Sequence, residues 1–199
     1  HIKIHGNTLP VNQQVMLPDM IEKIAYELMS PDQIKTFEAN WEMNLSFGVP
    51  NVGNFRVNIF RQRGSTSIVI RFILGNIPAL DELGLPNILG ELIMEKRGLI
   101  LIVGATGSGK STTIASMLDH RNANRSGHIL TVEDPIEFLF KHKKSIVNQR
   151  EIGMDTQDWQ SALKNAMRQA PDCILIGEIR DKETMQAAIA YAQTGHLCL

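Results

Sequence analysis

A chain of 199 residues, 43% hydrophobic and 21% charged, is long enough for one large domain or two small ones and has the make-up of a soluble globular protein. A formal net charge of −1 supplies no global basic field for nucleic acid. The longest apolar runs, about five residues, fall far short of the roughly 20 that a membrane span requires. No signal peptide is visible. Cys173 and Cys198 each sit in an apolar run without metal-ligand spacing, and they read as small buried residues of a reduced, cytoplasmic protein.

In chain order, Ile2 to His5 alternates as a strand ending at Gly6-Asn7. Pro18 to Ser30 carries Met20, Ile21, Ile24, Ala25 and Leu28 as a helical stripe, and Pro31-Asp32 opens a second helix through Phe37. Three strand segments follow, Glu42 to Val49, Asn54 to Arg63 and Ser65 to Leu74, with turns at Gly53 and Gly64. Residues 1–74 are therefore expected to be a small α+β domain with an antiparallel sheet. Residues 75–86 hold two glycines and two prolines and read as a linker.

Residues 87–199 alternate differently. A helix is expected over Pro86 to Glu95, a buried parallel strand over Leu99 to Val103, and a helix over Thr112 to Asp119. His128 to Val132 reads as a strand, and Lys141 to Lys144 as a solvated basic loop. Asp158 to Ala170 reads as a helix stopped by Pro171, and Cys173 to Ile176 as a strand. Asp181 to Gln193 reads as a helix with Asp181 at the N-cap and Gly195 at C′; Leu197 begins another strand. The fold class is α/β, a parallel sheet with helices on its faces. Ending on an apolar strand start implies a C-terminally truncated piece.

Gly104-Ala105-Thr106-Gly107-Ser108-Gly109-Lys110-Ser111 fits G-x-x-x-x-G-K-[ST] between the expected strand and helix, the context of a phosphate-binding loop. Glycines let backbone N–H groups turn toward phosphates, and the helix N-terminus adds partial positive charge. The expected ligand is ATP, held by residues 104–111 and Thr112. Lys110 is expected on the β- and γ-phosphates and Ser111 on Mg²⁺. Glu178, after the apolar Cys173 to Ile176, holds the Walker B position with Gly177 where many ATPases have Asp, and is the candidate general base. Thr131-Val-Glu133-Asp134-Pro135-Ile-Glu137 supplies further acids whose mutual repulsion calls for a cation or an arginine. The expected metal set is Ser111, Glu133, Asp134 and Glu178. Arg180 and Arg168 are candidate partners for nearby carboxylates.

These motifs, together with Val147-Asn-Gln-Arg-Glu151, Ala170 to Asp181 and Thr194-Gly-His-Leu197 in that order, resemble the type II/IV secretion ATPase superfamily. Within it they resemble the PilT/PilU retraction motors of type IV pili, and Asn54 to Gly64, Asp119-His-Arg-Asn122 and Leu163 to Pro171 favour the PilU-like branch. The resemblance implies a PAS-like N-terminal domain and a RecA-like core. It implies Glu178 and Lys110 as catalytic groups, with Glu137 assisting at the magnesium and water site. His196 would be a γ-phosphate sensor, and Arg56 and Arg71 would reach the phosphates of a neighbouring subunit. A homo-hexamer, or a mixed ring with PilT-like subunits, is implied, cytoplasmic and peripheral at the inner membrane, docked on a pilus platform protein, with no nucleic acid. The rival readings are an accessory ATP-binding subunit beside a PilT-like partner, a secretion or pilus-assembly ATPase, a nucleic-acid motor and a small-molecule P-loop kinase. His5 and Gln193 depart from the family pattern.

Overall fold

The computed structural model describes residues 1–4, 7–50, 52–73 and 76–199. The expected strand end at His5 and Gly6, the last expected residue of the third sheet strand, Leu74, and the first linker residue, Gly75, lie outside them. The chain divides into two compact units, His1–Phe72 and Ile73–Leu199.

The first unit opens with an antiparallel pair, β1 (Ile2–Ile4) and β2 (Asn7–Leu9), of which only β1 is expected from the sequence. Helix α1 (Pro18–Leu28) starts on Pro18 with Asp19 in its first turn, where a fixed φ and a negative charge both favour initiation. Helix α2 (Pro31–Asn40) starts on a reciprocal capping box. Ser30 Oγ accepts from Gln33 N at 3.3 Å, and Gln33 Oε1 accepts from Ser30 N at 2.8 Å. Trp41 takes a left-handed φ of 63° and turns the chain into the sheet. That sheet has the order β3 (Glu42–Val49), β4 (Gly53–Gln62), β5 (Ser65–Ile73).

Arg63 and Gly64, both at positive φ (50° and 78°), form the two-residue turn between β4 and β5, the geometry that matches strand twist. Odd-numbered Leu45, Val57 and Ile59 face Ala25, Met29 and Phe37, and this is the unit's core. Arg61 roofs the Phe37 ring at 5.3 Å and pairs with Glu22 at 2.9 Å.

The second unit is a five-stranded sheet, β6 (Gly98–Leu99), β7 (Gly127–Glu133), β8 (Ser145–Glu151), β9 (Cys173–Ile176) and β10 (Leu197–Cys198), in the order β6-β10-β9-β7-β8. Every neighbouring pair is parallel. Because side chains alternate along each strand, the sheet buries both faces. Leu130, Val132, Ile174 and Ile176 pack against α5 (Trp159–Ala166) and α6 (Lys182–Gln193). Ile129, Val147, Cys173 and Leu175 pack with Met117 and Leu118 of α4 (Lys110–Asn124) and with Ile93, just past α3 (Ile88–Leu92). Asp181 caps α6, accepting from Thr184 N at 2.8 Å, and Gly195 follows its end at φ 98°.

Several expectations are corrected. Strand β8 is not foreseen as a strand. Of the expected Leu99–Val103 strand, Leu99 lies in β6: Gly98 pairs with Leu197, Leu99 with Cys198, and Ile100 N donates to Cys198 O, level with Leu199, the last residue of the sequence given. The expected helix at Pro86–Glu95 is helical only over Ile88–Leu92. The carbonyls that follow are taken by side chains of α4, with Arg121 bound to Ile93 O (2.6 Å) and Glu95 O (2.9 Å) and Arg125 to Met94 O (2.6 Å). The linker range contains a short 3-10 turn, Leu80–Leu83. Helix α5 ends at Ala166, tightens to 3-10 over Met167–Gln169, and stops at Ala170 (φ 49°) before Pro171.

Candidate functional site

The phosphate loop spans residues 104–109 at the end of the segment that follows β6. Gly107 (φ 79°) and Gly109 (φ 94°) occupy backbone conformations that L side chains rarely adopt, and Gly109 is the N-cap of α4. A Cβ on Gly104 would stand 2.7 Å from Ser108 Oγ, so any other residue there would force that hydroxyl to swing aside. The first helical bond runs from Thr113 N to Gly109 O, which leaves the amides of Lys110, Ser111 and Thr112 without intrahelical acceptors. Lys110 Nζ donates to Gly104 O and Ala105 O, both at 2.9 Å, and so arches over the loop.

Parallel strands put their carboxyl ends on one edge, which is how residues far apart in sequence meet here. Ser111 from α4, Glu133 from the end of β7, Asp134 and Glu137 just after it, and Glu178 after β9 line one cleft of about 100 Å³. A neighbouring cleft of about 390 Å³ shares Ser111 and Glu178 and adds Lys110 and Gly104. Gly177 explains the missing Walker B aspartate. Its N donates to Val132 O at 2.8 Å, and a Cβ there would stand 3.2 Å from Glu133 Cα. A side chain at 177 would have to push that backbone aside by a few tenths of an ångström.

The acids differ in environment. Glu133 is 8% exposed; burial pushes its carboxyl up, opposed by Thr131 Oγ1 donating at 2.6 Å and Gln149 Nε2 at 3.3 Å. Asp134 is half-buried and Glu137 exposed. Glu178 Oε1 lies 2.6 Å from Arg180 Nη2, an ion pair without hydrogen-bond alignment. Arg168 instead contacts Asn165, one helical turn away, and joins none of these acids. Ser111, Glu133, Asp134 and Glu178 share the cleft, yet among the described residues no three acidic, histidine or cysteine groups converge to hold an ion by themselves. Oxygen donors of this kind suit Mg²⁺, which is ordinarily held by one or two protein groups plus substrate phosphates and water.

His196 does not join the cleft. It precedes β10 at the opposite edge of the sheet. Leu197 is level with Cys173, so His196 is separated from Glu178 by about six residues of strand rise, roughly 20 Å. Its Nδ1 lies 3.2 Å from Thr194 Oγ1 and 3.3 Å from Tyr191 O, at the end of α6.

Arg56 and Arg71 lie in the first unit. The two-residue turn sets Gln62 beside Ser65, and therefore Arg56 beside Arg71; the Phe55–Phe72 ring contact (5.3 Å) and the Arg61–Thr66 bond (3.0 Å) obey the same register. Both arginines occupy the sheet face opposite Val57 and Ile59. Like charges directly across a ladder are unfavourable unless an anion is shared between them.

Cys173 and Cys198 lie on opposite faces of the sheet, both reduced and buried, and burial pushes each thiol up to about 12. Among the described residues no helix is long and apolar enough to cross a membrane. Sequence reasoning missed Asn122, Gln149 and Glu151, although Val147 to Glu151 is one of the motifs it singles out.

A family described as Type II/IV secretion system protein matches residues 33–199. PilU of Pseudomonas aeruginosa, described as a type IV pilus ATPase, is 47% identical over 198 residues, covering 100% of this chain and 52% of that protein. The same organism's type IV pilus retraction ATPase PilT is 43% identical, covering 98% and 57%. Among solved structures, the pilus retraction motor PilT with bound ADP superposes with a TM-score of 0.93 at 48% identity, covering 98% of this chain and 57% of that one. The Legionella pneumophila ATPase DotB superposes at 0.79 and 29% identity. The chain thus spans about half the length of the curated relatives it matches.

Proposed function

The chain belongs to the type II/IV secretion system protein family, and from that premise we propose that it carries the ATP-hydrolysing site of a type IV pilus motor, of the kind that retracts pili in twitching motility. The observation that carries the reading is the convergence of Lys110, Ser111, Glu133, Asp134, Glu137 and Glu178 on two adjoining strand-end clefts that share Ser111 and Glu178. Residues 1–74 form its N-terminal domain, 75–86 its linker and 87–199 its ATPase core.

In this account ATP phosphates lie across the free amides of Lys110, Ser111 and Thr112 and the loop 104–109. Lys110 exchanges the Gly104 and Ala105 carbonyls for phosphate oxygens. Ser111, with Asp134 and Glu133 behind it, holds Mg²⁺. Bound there, the ion would supply positive charge against the phosphate oxygens. Glu178 turns from Arg180 to a water molecule and orients it on the γ-phosphorus, with Glu137 assisting. Arg56 and Arg71, side by side on a neighbouring copy, lend cationic charge to the equatorial oxygens of the transition state. The chain works in a ring of six, alone or mixed with PilT-like subunits, in the cytoplasm against the inner-membrane pilus platform.

Equilibrium binding of a fluorescent ATP analogue tests the reading. Lys110→Ala abolishes binding that the parent protein shows. Unchanged binding in that variant would refute a phosphate-loop site.

A further inference from the structure

Glu133, Asp134 and Glu137 stand on a segment with an unusual backbone. Among the described residues, no backbone-to-backbone hydrogen bond holds residues 134–142. A loop this close to a sheet still has to place its polar groups, and here side chains take that role. Gln149 of β8 makes two bonds to it and one to Glu133 at its start. Its Nε2 donates to Phe138 O at 2.8 Å and to Glu133 Oε1 at 3.3 Å, and its Oε1 accepts from Phe140 N at 2.9 Å. Two residues on, Glu151 Oε2 accepts from Ile136 N at 3.0 Å. Gln149 and Glu151 share one face of β8, and the ladder sets them beside Thr131 and Glu133. At the far end Asn122 of α4 donates to Lys141 O at 2.7 Å and accepts from Lys143 N at 3.2 Å. Glu151 is 5% exposed and Asn122 fully buried.

We propose that Gln149 and Glu151 are positioning residues for the reaction: they template the acidic loop, so that Asp134 and Glu137 face Ser111 across the cleft, and Asn122 ties that loop to the helix that grips the phosphates. The chemistry requires these residue types. A primary amide carries a donor and an acceptor side by side at its tip, and Gln149 uses them on Phe138 O and Phe140 N respectively. An oxygen acceptor of glutamate length is required at 151. The dependence is therefore on shape at 149 and on an acceptor oxygen at 151.

The kinetic arm rests on the ATPase reading; an amide-exchange arm does not. In the full-length protein, Gln149→Ala and Glu151→Ala lower kcat about 10–100-fold, as supporting partners of metal-site ligands do. KM for ATP stays within about threefold, because the phosphate loop is untouched. Glu151→Gln, whose amide oxygen still accepts from Ile136, restores kcat to within about threefold of the parent. Hydrogen exchange then reads the loop itself. Gln149→Ala accelerates the Phe140 amide and Glu151→Ala the Ile136 amide, each at least about tenfold, while the α6 amides keep their protection and exclude general unfolding. If Gln149→Ala does not fold, the Glu151 pair decides the question. Unchanged exchange at Phe140 and Ile136, a loss confined to KM, or Glu151→Gln as inactive as Glu151→Ala would overturn the proposal. Failure of Lys110→Ala to affect ATP binding would overturn the ATPase reading alone, with the exchange result still deciding on the loop.

Discussion

At Gly177 a single missing side chain sets the site's dimensions. A Cβ there meets Glu133 Cα and Val132 O, both at 3.2 Å and both backbone, so neither can swing aside. Gly177→Ala should cost about 1–3 kcal/mol of stability, as overpacking does, and urea denaturation reads it directly. Residue-scale chemistry also predicts an alkaline limit. Cys173, Cys198 and Tyr191 are all pushed up to about 12 by burial. Their protonated forms favour the folded state. This stability is complete below the unfolded thiol range, near pH 8.5, and is lost as pH rises through the folded values, because the unfolded chain releases protons first. Unfolding midpoints measured from pH 8 to 11 should fall, and Cys173→Val should flatten that fall. Both thiols should resist a disulfide reagent until the protein unfolds.

Elements follow their local signals where those signals are local. The capping box at Ser30 and Gln33, the N-cap at Asp181 and the paired turn residues Arg63 and Gly64 start or end their elements within a few residues of where the sequence places them. Asp181 adds a pH prediction. The Thr184 amide and hydroxyl hold its carboxyl below the usual carboxylate range. Its contribution is present above that range and is lost as pH falls through the lowered folded value. Asp181→Asn, which keeps an accepting oxygen, should lessen the acid sensitivity of α6 protection in hydrogen exchange; Asp181→Ala should weaken α6 at neutral pH as well.

What the sequence does not disclose is decided by partners far along the chain. Strand β8 alternates only over Ser145–Val147 before a polar run, Asn148 to Glu151, and it pairs because β7 lies beside it. The site divides in the same way. Lys110, Ser111, Glu133, Asp134, Glu137 and Glu178 each follow from a short motif, and strand parallelism gathers them. His196 also sits in a motif, but a motif does not say which end of a strand it occupies. Gln149 has no chemistry of its own, so its role emerges only from the loop it holds.

Across the whole molecule, the reading requires charge from a second copy. Arg56 and Arg71 stand abreast on one sheet, where a single phosphate group would meet two guanidinium groups. Substituting both, Arg56→Ala with Arg71→Ala, should lower kcat by about 10³-fold or more, the scale of an arginine finger. Mixing that double variant with Glu178→Gln subunits should recover part of the lost activity, since some interfaces then pair an intact core with intact arginines. Strictly additive inactivity in the mixture would place the arginines outside the reaction.

The most direct test of the account is ATP binding and hydrolysis measured side by side on Glu178→Gln in the full-length protein. The account predicts ATP affinity within about threefold of the parent and a turnover rate lowered by at least about 100-fold, the span general base catalysis covers. A variant that hydrolyses ATP at the parent rate would contradict it.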